Sequence, residues 1–237
     1  MFRHVPNLLT GGRLLLAGVF FCMLAVYQYE GRGDPWYLNT AFIIYCVALF
    51  TDFLDGYLAR KWNVEGAFGR VVDPFVDKVL VIGSFTFFAG KNFIIPHTAD
   101  VPGPSMVVKT LTGVAPGMVV LILARELLVT TFRGMSEAGG QNFGAAFSGK
   151  LKMVFQSVTI LVILVYVNYL PWLRDHHYEL VARRLRDVCI WGTLAITVFS
   201  GLLYVQRAVA MYRADQAAAP PDPAPVPPPR AGAPAAR

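Results

Sequence analysis

Six long apolar stretches, separated by short polar segments, dominate the chain. They cover residues 8–29, 37–54, 69–90, 113–132, 153–172 and 188–205. Each is close to the roughly 20 residues that a helix needs to cross a bilayer. No stretch shows the strict alternation of apolar and polar residues that marks a half-buried strand. The pattern predicts an all-α, polytopic membrane protein, folded as a bundle of six transmembrane helices.

The amino-acid composition supports a membrane location. Of the 237 residues, 55% are hydrophobic and only 15% are charged, whereas soluble domains carry about 25% charged residues. The formal net charge of +6 favours contact with anionic lipid headgroups. Because the basic residues form no long tract, we expect membrane lipids as partners and no nucleic acid.

Residues 214–237 differ in composition from the rest of the chain. Eight prolines and nine alanines make up most of this segment, which has too few large apolar side chains to form a core. We therefore expect a six-helix membrane domain at residues 1–213. Residues 214–237 are expected to form a disordered, Pro/Ala-rich tail without a catalytic role.

Two pairs of aspartates lie at the polar edges of the second and third apolar runs. Asp52 and Asp55 are three residues apart, and Asp73 and Asp77 are four apart, so on a helix each pair shares one face. A charged side chain near the middle of a membrane helix costs roughly 2.5–3.5 kcal/mol. Divalent cations, which prefer carboxylate oxygens, would offset that cost. A metal site is favoured over the alternative, a solvated acidic turn.

Small residues share the helical faces of these aspartates. Gly56 and Ala59 follow the first pair at helical spacing, and Gly66 and Gly69 precede the second pair. Such faces pack poorly, but they allow a ligand to approach the backbone closely.

Helix direction predicts where the charged residues meet. If six helices alternate in direction, both aspartate pairs, Arg13, Arg125 and Lys150 fall at one face of the membrane. Most lysines and arginines fall there too, so the positive-inside rule makes that face cytoplasmic. Four arginines between the fifth and sixth runs are exceptions, and we expect them on a short amphipathic helix at the interface: Arg174, Arg183, Arg184 and Arg186.

Basic residues near the aspartates indicate an anionic, phosphate-bearing substrate, because arginine and lysine are the usual phosphate ligands. The candidates for binding this phosphate are Arg70, Arg125, Arg133, Lys150 and Lys152. Long basic side chains can also extend to lipid headgroups without binding a substrate. For Lys150 and Lys152 both interpretations remain open, whereas Arg125 lies deep in an apolar run and favours pairing or ligand binding.

The run from Asp52 to Asp77 resembles the signature of the CDP-alcohol phosphatidyltransferase family. All eight fixed positions of that signature are filled at the expected spacing: Asp52, Asp55, Gly56, Ala59, Arg60, Gly69, Asp73 and Asp77. The resemblance implies a six-helix bundle that forms a homodimer. It also implies an enzyme that transfers a phosphatidyl group from a CDP-linked lipid, CDP-diacylglycerol, to an alcohol and releases CMP.

The resemblance also implies roles for the signature residues. The four aspartates would hold two Mg²⁺ or Mn²⁺ ions, and Asp77 would also be the base that removes the proton of the acceptor hydroxyl. The CDP-lipid would bind at Gly56, Ala59, Arg60 and Gly69.

Three flanking segments resemble members of the family that use glycerol 3-phosphate as the acceptor. They are residues 6–13, residues 73–78 and residues 124–133 with 149–152. The segment at 137–147 departs from this likeness because it contains no basic residue. Alternative acceptors are inositol or its phosphate, serine and phosphatidylglycerol. A membrane ion carrier is the alternative from another class, since intramembrane acids can bind a transported ion.

Overall fold

The computed structural model describes residues 5–29, 33–62, 67–94, 110–138 and 147–218. Within these ranges the regular structure is helical and contains no strand, with isolated bridge residues such as the pair Ile94 and Thr110, which confirms the predicted all-α class. Seven α-helices are present in the described ranges: α1 Val5–Val26, α2 Pro35–Trp62, α3 Ala67–Phe88, α4 Pro116–Ala138, α5 Phe147–Asn168, α6 Leu170–Asp175 and α7 Glu179–Ala218.

Three of these helices contain stretches that are long and apolar enough to cross a membrane: Pro35–Leu54 in α2, Leu151–Asn168 in α5 and Glu179–Ala210 in α7. A shorter apolar stretch, Gly11–Val26, lies in α1. These are the helices of an integral membrane protein. The predicted count of six crossings stays a prediction, since the described residues of α3 and α4 are not among these stretches.

The helices bury large apolar side chains between them and present others outward. Phe20, Tyr45 and Ile160, from α1, α2 and α5, are completely buried. Phe50 and Phe53 on α2 are largely exposed. An apolar surface of this extent would favour aggregation in water, but it suits contact with lipid chains.

Helices α1 and α3 approach each other closely at Gly83. A Cβ atom at that position would lie 2.3 Å from the ring of Phe21, so a larger residue there would require the ring to move. This contact lies toward the ends of both helices and packs α3 against α1.

One end of the bundle, which we call the closed end, is held by hydrogen bonds to the backbone. The Asn92 side chain donates to the carbonyls of Leu24 and Ala25 at 3.0 Å, and Thr112 donates to Phe88 O at 2.6 Å. These bonds satisfy carbonyls at the ends of α1 and α3. The opposite end, which we call the site end, contains the beginnings of α1, α3 and α5 and the ends of α2, α4 and α7.

The connection between the fifth and sixth apolar runs differs in part from the prediction. A short helix, α6, is present, but it carries only Arg174. The other three arginines lie in the first turns of α7, which begins at Glu179 and runs for 40 residues. Glu179 accepts hydrogen bonds from Arg174 at 3.2 Å and from Arg183 at 2.5 Å. These pairs favour helix from Glu179 onward and join the arginines to α7.

The last helix also extends beyond the predicted domain boundary. Helix α7 ends at Ala218, so the boundary drawn after residue 213 falls inside it. Residues 219–237 of the predicted tail lie outside the described residues.

Candidate active site

Arg13 joins two of the four signature aspartates at the site end. Its Nη1 atom donates to Asp52 Oδ1 at 2.6 Å and to Asp77 Oδ1 at 3.0 Å. The Arg13 side chain is 1% exposed, whereas Asp52 and Asp77 are 41% and 24% exposed. One buried cation on α1 therefore holds together two accessible carboxylates, one on α2 and one on α3.

The remaining signature residues lie on the same two helices. Asp55 follows Asp52 within α2, and Asp73 precedes Asp77 within α3, so each pair has the predicted helical spacing. The side chains of Asp55 and Asp73 lie outside the described part of the structure. The same is true of the other predicted site residues between positions 55 and 74 and of Lys150 in α5: Gly56, Ala59, Arg60, Gly69 and Arg70.

The donor set at this position fits a hard divalent cation. Asp52 and Asp77 direct oxygens at one nitrogen atom, and both remain accessible to a ligand. Carboxylate oxygens are the usual ligands of Mg²⁺ and Mn²⁺. The described side chains alone form no group of three or more metal-binding residues, since those of Asp55 and Asp73 are not among them.

Arg13 was not among the residues predicted for the site. Its signal in the sequence is a charge inside an apolar run. A guanidinium stays charged in a protein, so a buried arginine requires an anionic or strongly polar partner. The predicted helix directions already place Arg13 at the same end as the four aspartates, and that combination predicts the contact.

Basic residues from α4 and α5 meet at a second cluster. Glu126 Oε1 accepts a hydrogen bond from Arg125 Nη1 at 3.1 Å and another from Lys152 Nζ. Glu126 and Lys152 are buried. A single carboxylate thus holds two of the predicted phosphate-binding residues. Glu126 itself was not predicted as a site residue, although its position next to Arg125 in an apolar run is the signal for it.

Helix α7 forms the wall behind this cluster. Arg125 Nε donates to Ser200 Oγ at 3.1 Å, and Arg133 Nη2 donates to Tyr204 Oη at 3.1 Å. Both guanidinium groups also lie near the Tyr204 ring, at 5.5 and 6.0 Å from its centroid. Arg133 Nε is buried and has no hydrogen-bond partner within the described residues, so a ligand could accept from it.

A short chain of hydrogen bonds connects the two clusters. Lys78, the residue after Asp77, donates through Nζ to Thr130 Oγ1 at 2.7 Å. The Thr130 hydroxyl in turn donates to the backbone carbonyl of Glu126 at 2.6 Å. This chain joins α3 to α4 and holds the acidic and basic clusters next to each other.

The structure therefore brings together the predicted residues that it describes at side-chain level. Asp52 and Asp77 share Arg13, while Arg125 and Lys152 share Glu126. Carboxylates that can bind metal ions therefore lie beside basic side chains that can bind a phosphate. This arrangement suits the transfer of a phosphorus-containing group, in which both substrates carry negative charge.

The chain is similar to known proteins over most of its length. The CDP-alcohol phosphatidyltransferase family matches residues 3–199. A CDP-diacylglycerol–glycerol-3-phosphate 3-phosphatidyltransferase of Bacillus subtilis (strain 168) is 29% identical over 212 residues, which cover 86% of this chain and 94% of that protein. The protein of the same name from Escherichia coli (strain K12) is 30% identical over 172 residues, or 70% of this chain and 81% of that protein.

A third relative with that name, from Cereibacter sphaeroides, is 32% identical over 162 residues, which cover 68% of this chain and 63% of that protein. The matched region contains the charged residues of both clusters, whereas Ser200 and Tyr204 on α7 lie just beyond it. By this match the chain belongs to the CDP-alcohol phosphatidyltransferase family, and it is a phosphatidyltransferase enzyme.

Proposed function

We propose that this protein is a phosphatidylglycerophosphate synthase, which transfers the phosphatidyl group of CDP-diacylglycerol to glycerol 3-phosphate and releases CMP. The names of the relatives support this acceptor. The observation that carries the proposal is the hydrogen-bonded connection from Lys78 through Thr130 to Glu126. It holds a basic cluster suited to the acceptor phosphate beside the aspartates that act on the CDP-lipid.

The acidic cluster would bind the CDP-lipid and activate the acceptor. Asp52, Asp55, Asp73 and Asp77 would hold two Mg²⁺ or Mn²⁺ ions, which when bound supply charge neutralisation at the pyrophosphate. Gly56, Ala59, Arg60 and Gly69 would line the nucleotide position. Asp77 would accept the proton of the attacking hydroxyl as general base.

The basic cluster would bind the phosphate of glycerol 3-phosphate. Arg125, Arg133 and Lys152 are held by Glu126, Ser200 and Tyr204, and Arg70 and Lys150 are the further candidates. With the phosphate fixed there, the free primary hydroxyl attacks the β-phosphorus of the CDP-lipid. A new P–O bond forms, the bond from the β-phosphorus to the bridging oxygen breaks, and CMP leaves with that oxygen.

The membrane arrangement completes the proposal. Six crossings would place both clusters at the same face of the membrane, because every described contact between the clusters lies at one end of the bundle. The excess of lysine and arginine predicted at that face makes it the cytoplasmic one. The homodimer implied by the family resemblance is proposed as well. Chemical crosslinking of the protein in native membranes would test it, with a dimer band expected.

Release of CMP tests the proposed reaction. Purified protein in detergent micelles with Mg²⁺ and CDP-diacylglycerol is offered five acceptors in parallel: glycerol 3-phosphate, inositol 1-phosphate, myo-inositol, serine and phosphatidylglycerol. We expect CMP with glycerol 3-phosphate alone. CMP release with a different acceptor would change the proposed acceptor but leave the proposed phosphatidyl transfer unchanged. Ion flux in liposomes, together with no CMP release in the presence of any of the five acceptors, would favour an ion carrier instead.

A further inference from the structure

We propose that Arg13 is a positioning residue of the metal site, a counter-cation that shares the oxygens of Asp52 and Asp77 with divalent ions and lowers the affinity for them. This inference rests on the proposed function only in taking Asp52 and Asp77 as metal ligands. It assigns to α1 a part in the chemistry of α2 and α3.

The first step is the burial of Arg13 and the origin of its partners. Its side chain is 1% exposed, and its Nη1 atom contacts one carboxylate oxygen from α2 and one from α3. Two carboxylates directed at the same point repel each other unless a positive charge lies between them. Arg13 supplies that charge, so it fixes the separation of the two aspartates.

The second step concerns the oxygens themselves. Asp52 Oδ1 and Asp77 Oδ1 lie 2.6 and 3.0 Å from Nη1, so an ion that bound both would come within a few ångströms of a guanidinium. A guanidinium cannot lose its charge in a protein. The ion must therefore displace Arg13 or bind beside it against repulsion, and either outcome weakens binding.

The third step separates this role from a general need for a buried arginine. Arg186, at the closed end, is also buried, but its Nη1 donates to a backbone carbonyl, that of Leu111, at 2.6 Å. Its acidic partner is the adjacent residue on the same helix, Asp187. Both arginines are buried, but of the two only Arg13 connects signature aspartates on different helices. Arg186 is therefore the matched control.

The experiment measures Mn²⁺ binding by the full-length protein in detergent micelles, using the electron paramagnetic resonance signal of free Mn²⁺. The variants are Arg13→Gln, Arg13→Lys and the control Arg186→Gln. Because removal of a unit charge next to the ion is a large electrostatic change, we expect Arg13→Gln to bind Mn²⁺ about tenfold more tightly than wild type. Arg13→Lys should bind with intermediate affinity, and Arg186→Gln within about twofold of wild type.

Thermal unfolding gives a second measurement on the same samples. With EDTA, Arg13→Gln should unfold at a lower temperature than wild type, and Mn²⁺ should restore most of the difference. For Arg186→Gln, the decrease in unfolding temperature relative to wild type should be the same with EDTA and with Mn²⁺. A purely structural role for Arg13 would give the pattern of Arg186→Gln.

Binding of Mn²⁺ by Arg13→Gln that is equal to or weaker than wild type would overturn the proposal. If Arg13→Gln does not fold, Arg13→Lys provides the test, because the proposal then requires Arg13→Lys to bind Mn²⁺ more tightly than wild type. CMP release by wild type is measured alongside. If Arg13→Gln has the Mn²⁺ affinity of wild type, and wild type releases CMP, the role of Arg13 is rejected and the proposed function stands. If Arg13→Gln binds Mn²⁺ more tightly, and wild type releases no CMP, the proposed function is rejected and the role of Arg13 stands.

Discussion

The two ends of the bundle both contain a buried arginine, yet they are held together in different ways. At the closed end, Arg186 donates to the carbonyl of Leu111 and lies 4.6 Å from the centroid of the Tyr166 ring. At the site end, Arg13 donates to carboxylates of two other helices. Backbone partners are present in every folded state of the protein, whereas carboxylates can exchange one cation for another. The comparison separates an end that stabilises the fold from the end at which we propose the chemistry.

The same contrast extends to the neighbouring residues. The closed end uses amide and hydroxyl side chains that donate to carbonyls, such as Asn92 and Thr112, and its ion pairs join residues close in sequence, such as Arg186 with Asp187. At the site end ion pairs also join different helices, as between Glu126 of α4 and Lys152 of α5. If this division is correct, substitutions at the site end change kinetic constants, and substitutions at the closed end change stability without changing them.

The largest effect is expected from Asp77→Asn. The amide cannot accept a proton from the acceptor hydroxyl, and a general base contributes roughly 10²–10⁴-fold to a rate. We expect kcat for CMP release to fall by about 10³-fold, while binding of the CDP-lipid remains measurable. Asp175→Asn on the exposed helix α6 is the control and should leave kcat unchanged. Retention of kcat by Asp77→Asn would exclude Asp77 as the base and weaken the assignment of chemistry to this end.

The next effect is expected from Arg125→Ala and Arg133→Ala. A hydrogen bond to a charged group contributes about 1.5–3 kcal/mol, which corresponds to an increase of roughly 10–100-fold in the KM for glycerol 3-phosphate. The KM for CDP-diacylglycerol should stay within about twofold, because the proposal assigns the basic cluster to the acceptor and not to the nucleotide. Arg207→Ala, on an exposed part of α7, removes an arginine outside the cluster and serves as control. An unchanged acceptor KM in both variants would indicate a neutral acceptor.

The sequence predicts more of the helices than of the contacts between them. Apolar runs and Asp spacing on α2 and α3 lead to the all-α class and to helical pairs, since both depend on local periodicity. Alternating helix directions lead to a single charged end. The sequence does not predict which charged side chains pair with each other. Glu126 could pair with Arg125 alone, and only the packing of α4 against α5 shows that Lys152 shares its oxygen.

Tyr204 shows the limit most clearly. A tyrosine near the end of an apolar run is usually a residue of the membrane interface. In the structure it is buried and accepts a hydrogen bond from Arg133. Arg13 differs from Tyr204, because its buried charge in an apolar run demanded an anionic partner and the aspartates were the nearest candidates. The extent of α7 to Ala218 could not be predicted from hydropathy, because helix propensity continues after the apolar run ends.

At the closed end, Gly113→Ala tests the other side of the comparison. Gly113 has φ of 76°, a left-handed conformation that costs a residue with a Cβ about 1–2 kcal/mol. The new Cβ would also lie 3.1 Å from the guanidinium of Arg186. We expect the Tm to fall by a few degrees, with Mn²⁺ affinity and both KM values unchanged. Gly117→Ala, which has open space around its Cβ position within α4, is the control. A change in KM caused by Gly113→Ala would show that the two ends are coupled.

The smallest effect is expected from Tyr204→Phe. The substitution removes the hydroxyl that accepts from Arg133 but keeps the ring beside both guanidinium groups, so Arg133 loses one fixed contact and retains its charge. The lost bond positions Arg133 and does not itself contact the acceptor, so we expect the acceptor KM to rise only about threefold to fivefold, with little change in kcat. Tyr166→Phe, in contact with Arg186 at the closed end, is the matched control, and its acceptor KM should equal that of wild type. Equal effects of the two substitutions on KM would mean that tyrosine supports the arginines of both ends in the same way, and the distinction between the ends would then rest on Arg13 and its aspartates alone.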